Sequence, residues 1–181
     1  MIAAGADGRF AGADFVASPN CDERPPGEAV TLLVIHSISL PPGEYGGEAI
    51  ERLFTNRLDP TDHPSFEALR GLRVSAHFLV RRSGELRQFV PLQLRAWHAG
   101  ESAWRGRRRC NDFSIGIELE GTDQSAFTDA QYQRLALLAR GLLEVLPIRD
   151  IAAHSDIAPE RKTDPGAQFD WTRFLTTLAR R

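Results

Sequence analysis

Residues 30–35 read VTLLVI, and His36 follows directly. An unbroken apolar and β-branched run of this length, with no polar alternation, reads as a strand buried on both faces near the middle of a sheet. A second stretch, SIGIEL at 114–119, alternates strictly. Ile115, Ile117 and Leu119 share one face, and Ser114, Gly116 and Glu118 share the other. One face of that strand therefore packs, while its reverse carries a carboxylate.

Working outward, residues 76–81 and 85–90 form a hairpin around Arg82-Ser83-Gly84. Residues 148–153 make a short strand ending at His154. Residues 48–54 suit a short helix. Thr128 and Gln131 stand at capping-box spacing. The stripe Tyr132, Leu135, Leu138, Ala139 and Leu142 continues from them as a helix that stops at Pro147. Asp170 caps a last helix running to Ala179. Residues 1–29 are irregular, and 37–47, 55–75 and 91–113 are mostly loop. Alternating strands and helices give a single α/β domain with helices packed on its sheet and a core over about 30–178. Periodicity leaves the strand order open.

The bulk numbers bound the function. A length of 181 residues fits one domain with a sizeable core. The net charge of −2 supplies no basic field for nucleic acid or an anionic membrane. The local run Arg105-Gly106-Arg107-Arg108-Arg109 reads as a solvated loop. Met1 to Phe10 shows no basic leader followed by an apolar run, and no stretch approaches the roughly 20 apolar residues of a membrane span. The two cysteines, Cys21 and Cys110, are too few for a disulfide scaffold and read as free thiols in a reducing compartment. Together these point to the cytoplasm, with a small molecule as partner and the oligomeric state open. Among 22 basic residues Lys162 is the one lysine, which hints that arginine does not serve there.

Three polar groups follow the apolar strands: His36, His154 and, ten residues on, Asp164. Two imidazoles and a carboxylate make a catalytic zinc set with the fourth position open to water. The spacing is no tight motif, and His63, His77 and His98 remain alternatives. Glu118, on the polar face of a buried strand, must pair, bind metal or carry a proton. Glu120 points the same way nearer the loop and suits a plain structural role better. In Ala158-Pro159-Glu160-Arg161-Lys162-Thr163-Asp164-Pro165-Gly166, a cation lies two residues before a candidate ligand. That is the arrangement of an electrophile beside a metal.

The stretches VIHSISLPPGEYGG, LRVSAHFLVRRSGE, RAWHAG, RCNDFSIGIELEGTD, FTDAQY, HSDIAPERKTDPG and FDW, in this order, resemble the AmpD-type N-acetylmuramoyl-L-alanine amidases. The resemblance covers about 30–175. It implies a mixed central sheet flanked by helices and one Zn²⁺ in a groove. It further implies hydrolysis of the amide between the muramic acid lactyl group and L-alanine, with 1,6-anhydro-N-acetylmuramyl peptides as substrate in cell-wall recycling. On the matching positions, His36, His154 and Asp164 are the zinc ligands, Glu118 the acid, and Lys162 the cation beside the metal. His77 and His98, in the SAH and WHAG blocks, fall in or just behind the groove. Ser37 stands where the family usually has Asn, which alters local substrate hydrogen bonding. A peptide stem ending in carboxylates calls for arginine, and Arg73 and Arg109 are the candidates. Trp97 and Trp104 either stack on sugar or pack the loop. The competing readings are a wall-directed amidase and a non-catalytic peptidoglycan-binding module.

Overall fold

A computed structural model describes residues 5–180. The chain begins with two short strands, β1 (Asp14–Phe15) and β2 (Cys21–Glu23), then the long β3 (Leu32–Ile38). Helix α1 (Ala49–Phe54) and a 3-10 segment at Pro64–Leu69 precede β4 (Phe78–Val80), β5 (Leu86–Gln88) and β6 (Leu94–Ala96). A small hairpin, β7 (Ala103–Trp104) and β8 (Arg107–Arg108), leads to β9 (Ser114–Glu120). The last elements are α2 (Asp129–Val145), β10 (Asp150–Ala153), α3 (His154–Ile157) and α4 (Trp171–Ala179).

The main sheet runs β1-β5-β4-β9-β3-β10. Neighbours among β4, β9, β3 and β10 are parallel, while β4 and β5 form the expected antiparallel hairpin. The sheet is therefore mixed, with helices packed on it. The two apolar runs lie side by side at its centre, with His36 directly opposite Glu118. Alternation sends Leu33 and Ile35 of β3, Ile115, Ile117 and Leu119 of β9, and Phe78 and Val80 of β4 to one face. There they form the largest core cluster with Leu135, Leu138 and Leu142 of α2 and Phe174 of α4. Leu32 and Val34 face the other way, against Ala99, Cys110, Phe113, Ala152 and Ile157.

Local signals read from sequence hold where they are self-contained. The Thr128 hydroxyl accepts from the Gln131 amide at 3.1 Å and the Gln131 side chain accepts from the Thr128 amide at 3.0 Å. Gln131 also donates to the Glu120 carbonyl at 2.9 Å, which ties the helix start to the end of β9. Asp170 caps α4 through the Arg173 amide.

Other expectations need correction. The segment before residue 30 is not irregular throughout: β1 extends the main sheet beside β5, and β2 pairs with β6. Two- and three-residue edge strands are too short to show a period. His36 does not end its strand, since β3 continues through Ser37 and Ile38 while pairing with β9. The loop at 91–113 carries β6, β7, β8 and a 3-10 turn at Cys110–Phe113.

Candidate active site

The site grows from the register of three parallel strands. His36 on β3 is paired with Glu118 on β9. Ala153, the last residue of β10, is paired with Ile35, so His154 emerges one step further on, beside His36. Alternation puts all three side chains on the face opposite the large core. Asp164 arrives from the loop after α3, and its carbonyl accepts the Ser155 amide at 3.0 Å.

The three candidate ligand atoms converge. The Nδ1 atoms of His36 and His154 are 2.9 Å apart. The Oδ2 atom of Asp164 lies 3.2 Å from the first and 3.0 Å from the second. A tetrahedral zinc with bonds of about 2.0–2.2 Å spaces its ligand atoms roughly 3.3 Å apart, so this cluster needs only a slight opening to accept one. His154 Nε2 lies 3.2 Å from the Ala99 carbonyl, which can only accept a proton, so His154 Nδ1 presents a lone pair. Burial pushes His36 down to about 4 against the opposing pull of Asp164, so its imidazole is neutral at pH 7 as a ligand must be. Burial pushes the Asp164 carboxyl up, but the two imidazoles beside it outweigh this and hold it well below the usual range. Among the described residues, these three are the group with metal-binding geometry.

Glu118 is the electrostatic exception. Its Oε2 is sealed from solvent and has no hydrogen-bond partner. Burial drives its carboxyl well above the ordinary value, the Asp164 charge adds to this, and Lys162 opposes it. Lys162 is half-buried, and its charge reaches both His36 and Glu118. Glu120, expected to have a plain structural role, is 1% exposed. Its carboxylate accepts from Arg81 (3.2 Å) and from the backbone amides of Gly46 (2.7 Å) and Arg82 (3.0 Å). Of two glutamates on one face, one is fully bonded and one is free.

Comparisons with known proteins bear on this arrangement. Residues 26–167 match the family model for N-acetylmuramoyl-L-alanine amidase. The chain is 57% identical over 175 residues to the 1,6-anhydro-N-acetylmuramyl-L-alanine amidase AmpD of Escherichia coli (strain K12), covering 96% of both chains. The chain belongs to the N-acetylmuramoyl-L-alanine amidase family. A crystal structure of a selenomethionine AmpD derivative superposes with a TM-score of 0.95 at 55% identity, covering 98% of this chain and 99% of the other. A complex of the N-acetylmuramyl-L-alanine amidase AmiD from E. coli with the substrate anhydro-N-acetylmuramic acid-L-Ala-D-γ-Glu-L-Lys matches with a TM-score of 0.60 at 34% identity, over 86% of this chain and 60% of that one.

The remaining candidates of this amidase scatter. His98 stands against the cluster, its Nδ1 2.9 Å from His36 Nε2. His77 lies beneath the floor: it is wholly buried, accepts the Gly116 amide at Nδ1 (3.1 Å), and has Nε2 3.1 Å from the Leu94 carbonyl. Ser37 alternates to the face away from His36, a consequence of β3 running on past the histidine. Trp97 donates to Asp22 (3.1 Å), and Trp104 donates to Asp150 (3.2 Å) at the start of β10. Arg109 is exposed, with a left-handed backbone and an ion pair to Asp112 at 3.3 Å. Arg73 is exposed on a cleft wall with Leu53, Phe66 and Leu72, apart from the cluster. The basic run at 105–109 is surface, with Arg105 and Arg107 paired to Asp150 and Glu28.

Sequence reasoning missed two supporting residues. The Asn111 side chain accepts the amides of His98 (3.2 Å) and Ala99 (2.8 Å), and the Ser114 hydroxyl meets His98 Nε2 at 3.0 Å. For Ser114 a signal existed: it shares the alternating face with Gly116 and Glu118. No helix of the described residues is long and apolar enough to cross a membrane.

Proposed function

We propose that this amidase is a zinc-dependent hydrolase of 1,6-anhydro-N-acetylmuramyl peptides, cleaving the bond between the lactyl carbonyl and L-alanine. The observation that carries the reading is an open two-histidine, one-aspartate cluster with a sealed, unpartnered carboxylate in register beside it. His36, His154 and Asp164 would hold the ion, which would supply a Lewis acid beside Glu118. The anhydromuramyl substrate is supported by the solved AmiD complex and by the AmpD relatives. A cytoplasmic recycling role fits the two free thiols of Cys21 and Cys110.

The chemistry that zinc supplies when bound is polarisation of the scissile carbonyl and acidification of water. Glu118 does the proton work. As carboxylate it takes a proton from the attacking water, whose oxygen bonds to the lactyl carbonyl carbon. The C–N bond then breaks, and Glu118 returns the proton to the departing alanine nitrogen. The products are a lactyl carboxylate and an alanine ammonium group, the second proton of the water ending on the amine. Its raised pKa makes Glu118 a stronger base than an exposed glutamate and a competent acid in the second step. Lys162 offsets the negative charge that develops on the carbonyl oxygen. Arg73 and Arg109 are exposed, and we read them as the partners of the stem carboxylates, Arg109 by exchanging its surface ion pair with Asp112.

The test is mass spectrometry of anhydromuramyl-tripeptide incubated with zinc-loaded protein. Release of intact tripeptide with loss after chelation, and recovery on zinc addition, is the expected result. Turnover that survives complete chelation would remove the metal from the mechanism.

A further inference from the structure

The two histidines of the cluster are anchored differently. His154 Nε2 meets the Ala99 carbonyl, an acceptor with no alternative, so its tautomer is settled. His36 Nε2 meets another imidazole, His98 Nδ1, at 2.9 Å. An imidazole can offer either a proton or a lone pair there. On the other side of the His36 ring, Nδ1 lies 3.2 Å from Asp164 Oδ2. Asp164 alone would draw the proton to Nδ1 and close off the lone pair that an ion needs.

The structure carries a second anchor that settles the question. The Ser114 hydroxyl donates to the Cys110 carbonyl at 2.6 Å. Its single proton is thus committed, and towards His98 Nε2, 3.0 Å away, the hydroxyl oxygen can only accept. His98 therefore carries its proton on Nε2 and presents a lone pair at Nδ1. His36 must then donate from Nε2, which frees its Nδ1. One direction of donation runs through four groups, from His36 to His98 to Ser114 to the Cys110 carbonyl.

We propose that His98 is a positioning residue for the metal centre: with Ser114 and the Cys110 carbonyl it holds His36 as the Nε2–H tautomer, leaving Nδ1 for the ion. The packing is built for it. A Cβ on Gly116 would come within 2.4 Å of His98 Cγ and 2.6 Å of its Nδ1, so only glycine there lets the ring lie against β9. Asn111 pins the backbone of His98 and Ala99 from the other side. The same two-residue segment thereby orients both histidine ligands, one through a side chain and one through a carbonyl. Partners of this kind are worth about 10- to 100-fold in metal affinity.

The inference rests on the metal-binding reading above, and its test separates the two. The first measurement is made without metal. In ¹⁵N-histidine-labelled, zinc-free protein at pH 8, long-range ¹⁵N–¹H spectra read the His36 tautomer. Nε2–H is expected in the unaltered protein, with a shift towards Nδ1–H in His98→Phe and in Ser114→Ala. The second measurement is zinc affinity by competition with a chelator. His98→Phe should weaken binding about 10- to 100-fold, and Ser114→Ala should weaken it less. His98→Asn, whose side-chain oxygen takes the place of Nδ1 as acceptor, should restore most of it. In the His98→Asn background, Ser114→Ala should have no further effect. A merely structural role for the ring would move thermal stability without moving the tautomer, and would not be rescued by Asn. Nδ1–H in the unaltered protein, or equal zinc affinity in His98→Phe and His98→Asn, overturns the proposal. Failure of the unaltered protein to bind zinc at all would overturn the metal reading instead, whatever the tautomer.

Discussion

The two faces of the central strands carry opposite chemistry. On the helix side, Leu33, Ile35, Phe78, Val80, Ile115, Ile117 and Leu119 are sealed against α2 and α4 in one apolar cluster. On the other side the same strands present Leu32 and Val34, then His36 and Glu118. Both faces are buried; what differs is whether polar groups have partners. His36 Nε2 meets His98 while its Nδ1 faces Asp164, and Glu120 is satisfied on every side. Among the described residues, the Glu118 Oε2 is the one buried carboxylate oxygen left alone. An unmade hydrogen bond on a buried group costs about 1–3 kcal/mol. The lesson is that burial alone does not mark the reactive carboxylate, whereas burial without a partner does.

The comparison is broken most completely by removing ligands. His36→Ala, His154→Ala and Asp164→Ala should each leave the protein folded and without zinc, read by metal analysis of the purified variants. A variant that keeps a full equivalent of zinc takes its residue out of the set. Next is Glu118→Ala, which should keep zinc and lose about 10²–10⁴-fold in kcat, the usual worth of a general base. Glu120→Ala is its counterpart on the same face. Breaking the buried pair with Arg81 should lower stability by about 3–5 kcal/mol, while the folded fraction keeps its kcat. Reversed phenotypes would show that the partnerless oxygen is not the reactive one.

Lys162→Arg tests shape against charge. Lysine is a compact cation on a thin stem, and guanidinium is broad and planar. The variant should retain zinc and lose about 10²-fold in kcat, as on removal of an oxyanion donor. Near-normal turnover would make Lys162 a generic cation. On the apolar face, Ile117→Ala should cost about 2–5 kcal/mol in denaturant unfolding, with kcat of the folded enzyme unchanged. A loss of kcat there would mean the faces are not independent.

The smallest effect sharpens the point about partners. Glu118 has its folded pKa raised, chiefly by burial. Such a group contributes stability that is fully present below its unfolded pKa of about 4.3 and is lost as pH rises through the folded value. Gln cannot ionise. Zinc-free Glu118→Gln should therefore melt with the unaltered protein near pH 4 and above it at pH 7, by roughly 2–4 °C for each kcal/mol recovered. Equal melting at both pH values would mean that the carboxyl is solvated after all.

Legibility divided along the same lines. The α2 capping box, the Asp170 cap, the hairpin and the alternation of β9 were readable because each is a contact between residues a few positions apart. The resemblance of the sequence blocks points to Glu118 and the three metal candidates through short contiguous motifs. What holds Glu120 was not legible, because its partners Arg81, Arg82 and Gly46 are 39, 38 and 74 positions away. β1 and β2 were invisible because their only structure is the strand each one borders.

By itself, then, the sequence determined the local elements, the apolar face and the family. Only the tertiary structure decided that His36 sits inside its strand opposite Glu118, that Ser37 turns away, and that His98 and Ser114 stand behind the first ligand. The physical reason is that a hydrogen bond's direction depends on what occupies the far side of each group. In this sheet the far side is supplied by strands and loops remote in the chain.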